Sequence, residues 1–166
     1  MLYRQHCVTN CVIGATLELS SFYAHWGGWE MRLTFAGAFL LATFWLSPDL
    51  DLHHSSPSRN WLIFRKLWWP YSKIFRHRGW SHFPVLGSLT RLSYLCTLLV
   101  GLMLCKDVFA GEISLSHLVH SGHESLQALL SVVSQHPELA WTAFFAVIVS
   151  DLAHAVGDFL WPGKLF

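Results

Sequence analysis

Long apolar stretches with no sustained period-two alternation constrain this chain most. They run over 8–22, 32–47, 81–105 and 139–160. The first is the weakest, interrupted by Asn10 and Glu18, and Gly27-Gly28 marks a turn after it. Pro48 closes the second, because a proline there discourages straight continuation of a helix. A long connection rich in Arg, Lys and Trp (52–78) separates the second from the third. A polar one (106–138), with Asp107, Glu112, Glu124 and Glu138, precedes the fourth. No Asn-Gly or Asp-Gly pair signals a hairpin. The expected fold is all-α: an up-down bundle of about four main helices, one domain over 1–166.

Charge decides whether water or lipid surrounds such helices. Only 13% of the residues are charged, against about 25% in soluble domains. The nine Trp also point toward a membrane, where indoles favour the interface. A spanning helix needs roughly 20 mostly apolar residues, and each stretch taken alone is marginal by that measure. The basic residues strengthen the case. Arg59, Arg65, Lys66, Lys73, Arg76 and Arg78 all fall in the 52–78 connection. With four antiparallel helices, Arg4, Arg91 and Lys164 share its side, and only Arg32 and Lys106 lie opposite. Positive-inside sorting then puts both termini and the connection in the cytoplasm. Membrane lipid is the expected partner. A net charge of +1 gives no global field for nucleic acid. Cys7, Cys11, Cys96 and Cys105 make no Cys-x-x-Cys pair and read as reduced, buried thiols. Residues 1–25 lack the basic start and long apolar run of a cleaved signal.

Acids and histidines cluster where the apolar stretches end. The groups are Asp49 and Asp51 in Ser47-Pro-Asp-Leu-Asp, His77 and His82 in His-Arg-Gly-Trp-Ser-His, and Asp151, His154 and Asp158 on the last segment. His6 precedes the first segment. With antiparallel neighbours, all four positions fall at one end of a bundle. Asp151, His154 and Asp158 are spaced i, i+3, i+7 and share a helical face. A buried carboxylate without a partner is costly, and a metal ion removes that cost. Of two acids two apart, each can ligate, or one can orient an imidazole for the other. Gly79 allows a tight turn that lets His77 and His82 face one point, and Arg78 is a candidate for binding an anionic group. The candidate ligands are therefore His6, Asp49, Asp51, His77, His82, Asp151, His154 and Asp158. Each cluster has a plainer reading as helix-end hydrogen bonding or turn chemistry. His53 and His54 read as exposed loop residues, and His117, His120 and His123 as a solvent-facing stripe.

These elements, with Trp68-Trp69-Pro70-Tyr71, resemble the family of uncharacterised metal-binding proteins. That family is similar to the group called membrane-bound metal-dependent hydrolases, with their Pro-Asp-x-Asp and His-Arg-x-x-His-Ser elements. The resemblance runs from His6 to Asp158. It implies a helical metal-binding protein and carries the family's positions onto Asp49, Asp51, His77, His82, His154 and Asp158. His6 corresponds to an early family histidine, but Cys7 stands where an acid is expected. Phe83 replaces the serine after His82.

The leading functional expectation is a membrane-associated metal-dependent hydrolase. Its mixed His and carboxylate donors suit one or two divalent ions, Zn²⁺ first, with Mn²⁺ or Fe²⁺ as alternatives. Arg78 favours a phosphoester substrate, a lipid phosphate if the site lies at headgroup level. The alternatives are a non-catalytic metal-binding membrane protein, such as a sensor or transport component, and a purely structural bundle.

Overall fold

Proline and small polar residues set the helix boundaries. A computed structural model describes residues 3–25, 27–52, 54–75, 79, 82–111 and 114–160. Its α-helices are α1 (Tyr3–Tyr23), α2 (Trp29–Phe44), α3 (Ser56–Asn60), α4 (Trp69–Ile74), α5 (Pro84–Phe109), α6 (Leu115–Gln135) and α7 (Pro137–Leu160). Two 3-10 turns, Pro48–Asp51 and Leu62–Trp68, complete it. Pro84 opens α5 and Pro137 opens α7, where a missing N–H costs no helical bond. No strand occurs among the described residues, so the all-α expectation holds.

The expected count of about four main helices does not hold, since the described residues form seven α-helices. Two connections are themselves helical. In 52–78, Ser55 caps α3 by accepting from the Ser58 N–H, and Pro57 and Pro70 sit in first turns. In 106–138, Leu118, Gly122, Ser125 and Leu129 recur at helical spacing on the more covered side of α6. Apolar residues also recur at helical spacing on its exposed side, at Val119, Leu126, Leu130 and Val133. His120 and His123 are exposed and His117 is half-buried.

α7 packs on α1, α2 and α5. Contacts between named residues fix the directions. Asn10 meets Ser150 and His6 meets Asp158, so α1 is antiparallel to α7. Phe35 meets Phe145 and Thr43 meets Ser150, so α2 runs parallel to it. Gly14 lets α1 lie close to α2, since a Cβ there would come within 2.7 Å of the Phe39 ring. His82 faces His154 while Arg91 reaches Asp151, so α5 is antiparallel to α7. The start of α1, the exit of α2, the entry of α5 and the end of α7 therefore converge.

Three helical stretches are long and apolar enough to cross a membrane: Trp29–Asp51, Pro84–Phe109 and Pro137–Phe159. α1 and α6 are not among them, which replaces the four-helix spanning arrangement. α5 exposes Leu86, Leu89, Leu99, Leu102 and Met103 along its outer side. Apolar surface this continuous calls for a cover, and lipid is the one these lengths suggest. Cys96 and Cys105 are exposed rather than buried as expected, and Cys7 and Cys11 are half-buried.

Candidate metal centre

The centre is built first by the exit from α2. Pro48 ends the helix and opens a single 3-10 turn carrying Asp49, Leu50 and Asp51. Leu50 is fully buried and packs with Leu46, Trp68 and Tyr71. That plug pins the turn between two acids whose side chains point elsewhere. Within the Trp68-Trp69-Pro70-Tyr71 element, Trp68 and Tyr71 are therefore the packing surface that holds the acidic turn in place, while Trp69 and Pro70 are exposed. The Tyr71 hydroxyl, 3.1 Å from Thr90 Oγ1, ties this layer to α5.

Asp49 and Asp51 lie on either side of the His82 ring. Asp49 Oδ1 is 3.7 Å from Nε2 and Asp51 Oδ2 is 3.4 Å from Nδ1. α7 contributes His154 and Asp158, one turn apart, and α1 contributes His6. His6 Nε2 lies 3.2 Å from Asp158 Oδ1. The buried His154 Nε2 lies 3.6 Å from Asp49 Oδ1 and 3.8 Å from Asp158 Oδ2. It makes no hydrogen bond.

Two donor triads result, His6–His154–Asp158 and Asp49–His82–His154, each with its ligand atoms within 4.8 Å of one another. At metal–ligand bonds of about 2.1 Å, adjacent donors lie about 3.0 Å apart in an octahedron and about 3.4 Å apart in a tetrahedron. The His6–Asp158 spacing, 3.2 Å, falls between those edges, and the other three, 3.6–3.8 Å, are slightly wider. Those three are long for well-formed hydrogen bonds. A buried imidazole nitrogen aimed between two carboxylates at such distances fits a cation. A His/Asp cluster able to coordinate a divalent metal ion is thus present.

The family described as uncharacterized metal-binding protein (DUF2227) matches residues 3–164. The chain belongs to this family. It is also 50% identical over 66 residues to an uncharacterized protein of Aquifex aeolicus, a match covering 40% of this chain and 47% of that protein. The chain thus spans about half the length of this relative. No solved structure matches.

For this metal-binding protein, the structure brings together His6, Asp49, His82, His154 and Asp158. His6 lies within α1 rather than before it. Asp51 stands behind His82 at Nδ1, the orienting arrangement that the sequence left open. Asp151 departs from expectation. Its Oδ2 accepts from Arg91 Nη2 and Ser88 Oγ, all three residues are buried, and Asp151 is in neither triad. Arg91 likewise is no surface charge: it is wholly buried. His77 and Arg78 lie outside the described residues.

Sequence reasoning missed the polar layer beneath the cluster. Asn10 Nδ2 donates to Ser150 O at 3.2 Å, and the Thr43 and Ser150 hydroxyls are 3.0 Å apart, joining α1, α2 and α7. Three isolated polar residues in separate apolar stretches gave little warning. Arg91 did give a signal, as the single charge inside 83–105.

Electrostatics separates the two outer histidines. Burial, followed by the neighbouring His154, lowers the His6 pKa to about 4, although Asp158 pulls the other way. Burial also disfavours the charged form of His82, but the Asp49 and Asp51 carboxylates outweigh it and raise the pKa to about 9.

Proposed function

We propose that this chain is a membrane-embedded, metal-dependent hydrolase of phosphoesters, with one divalent ion held by His6, Asp49, His82, His154 and Asp158. The observation that carries the reading is His154 Nε2, which is buried, makes no hydrogen bond, and lies within 3.6–3.8 Å of two carboxylates from different elements. Both triads share His154, and its Nε2 is the atom facing both acids. A neutral imidazole nitrogen has one lone pair, which favours one ion over two. Three imidazoles and two carboxylates suit Zn²⁺ first, with Mn²⁺ and Fe²⁺ as alternatives.

The ion would supply Lewis acidity toward a phosphoryl oxygen and favour ionisation of water at neutral pH. The chain's residues do the rest. Asp51 fixes the His82 ring through Nδ1 and so directs Nε2 inward. The His6 and His154 rings stack, which fixes the angle between two donors. Leu50, Trp68 and Tyr71 fix the turn that carries Asp49. Arg78 is proposed to hold the substrate's anionic group. The site and both termini are proposed to face the cytoplasm, because the basic 52–78 connection emerges at the same end. Kinship with the membrane-bound metal-dependent hydrolases belongs to this proposal too.

The test is turnover of bis(p-nitrophenyl) phosphate by detergent-purified protein loaded with Zn²⁺, Mn²⁺ or Fe²⁺. Hydrolysis that disappears in His154→Ala supports the reading. Stoichiometric metal without turnover of any phosphoester under all three ions would leave a non-catalytic metal-binding membrane protein.

A further inference from the structure

We propose that the segment 59–74 is an interfacial anchor that binds anionic phospholipid on the metal-site face, with Leu62, Ile63 and Phe64 entering the bilayer and Arg59, Arg65, Lys66 and Lys73 meeting lipid phosphates. The proposal rests on the membrane reading above and needs no catalysis.

Five observations carry it. Leu62 has φ of 51°, a left-handed conformation unfavourable for a branched side chain. The following 3-10 turn leaves Leu62 76%, Ile63 81% and Phe64 56% exposed in succession. A turn meant for water would present polar residues there. The turn is also firmly seated. Trp68 is buried beneath it, Trp61 Nε1 donates to Trp45 O at 2.8 Å, Asn60 Nδ2 donates to Phe44 O at 2.7 Å, and the Tyr94 hydroxyl donates to Leu67 O.

Charge identifies the occupant. Arg59, Arg65, Lys66 and Lys73 are exposed, and no Asp or Glu occurs between Asp51 and Asp107. The exposed Trp69 adds an indole, with Lys73 Nζ 5.8 Å from its ring centre. Basic and aromatic residues flanking an apolar wedge match an anionic headgroup layer. Topology supplies the place. α2 exits and α5 enters at the same end of the helices, and both are candidate spans, so the segment 59–74 between them stays at one membrane face.

The test uses full-length protein in nanodiscs of phosphatidylcholine, with or without phosphatidylglycerol. Ile63→Cys, with the four native cysteines changed to alanine and metal content checked, is labelled with an environment-sensitive NBD dye. Blue-shifted emission quenched by headgroup-proximal nitroxide lipids is expected, and water-like emission overturns the wedge. Arg65→Gln/Lys66→Gln/Lys73→Gln should weaken the preference for phosphatidylglycerol in lipid retained from the mixture by about a hundredfold, at about 1 kcal/mol per basic residue. Unchanged retention overturns the anionic preference. Release of wild-type protein from native membranes by alkaline carbonate would sink the membrane reading and the anchor together. An integral protein with a water-exposed dye sinks the anchor alone.

Discussion

The imidazoles of His6 and His154 stack with centroids 4.0 Å apart and planes 12° from parallel. Two stacked rings in a buried site resist carrying two positive charges, which is part of why the His6 pKa falls to about 4. In metal-free protein this gives a signed pH dependence. Between about pH 6.5 and 4 the unfolded chain takes up a proton at His6 that the folded chain refuses, so acid removes stability in that window. His82 has the opposite sign. Its stabilisation is fully present below pH 6.5 and is lost as pH rises through about 9. The melting temperature of metal-free protein should therefore peak near pH 6.5. His6→Gln should flatten the acid limb and His82→Gln the alkaline one. A profile indifferent to both substitutions would contradict the electrostatics described.

Metal uptake should release a proton from a known residue. At pH 7 the metal-free His82 is protonated, since its pKa is about 9, whereas His6 is neutral. Only a neutral imidazole ligates, so binding should release about one proton per ion at pH 7 and none well above pH 9. Calorimetry in buffers of differing ionisation enthalpy reads this directly. Heats that do not depend on buffer at pH 7 would remove His82 from the ligand set.

The five clustered side chains and the two flanking acids should behave differently on mutation. His154→Ala, which deletes the donor shared by both triads, should abolish bound metal in elemental analysis. Asp51→Asn should keep the metal but weaken its affinity roughly 10–100-fold, the usual cost of losing the partner behind a ligating histidine. Asp151→Asn should leave stoichiometry intact, because that carboxylate serves Arg91. Loss of metal in Asp151→Asn with retention in His154→Ala would invert the assignment.

The convergence of the helix ends was legible because it follows from chain direction alone. Apolar runs broken at Pro48 and again before Pro84 make antiparallel helices, and acids at their ends must then meet. What escaped was pairing within the apolar runs. Arg91 and Asp151 lie 60 positions apart and find each other across α5 and α7, and no local spacing reports that. α6 escaped for another reason: its covered side includes Gly122 and Ser125, while Val119, Leu126, Leu130 and Val133 face outward among histidines and serines, so its polar residues read as a connection. The expectation of buried cysteines followed from burial habits that describe soluble cores, whereas the outer side of α5, with Cys96 and Cys105 exposed, faces away from the protein.

The Arg91–Asp151 pair yields the sharpest stability prediction. Both side chains are about 1% exposed, and Ser88 donates to the same carboxylate oxygen as the guanidinium. Desolvating two charges offsets much of their attraction, so the pair adds little over apolar residues of similar size. Removing one partner is different, because it strands the other charge in a dry environment. Arg91→Leu alone should destabilise by roughly 3–5 kcal/mol, and Asp151→Leu by a similar amount. The double substitution should recover most of that loss, giving a coupling energy that a denaturation cycle can measure. Additive single effects would mean that the two charges are solvated separately, and the packing of α5 against α7 at this level would have to be different.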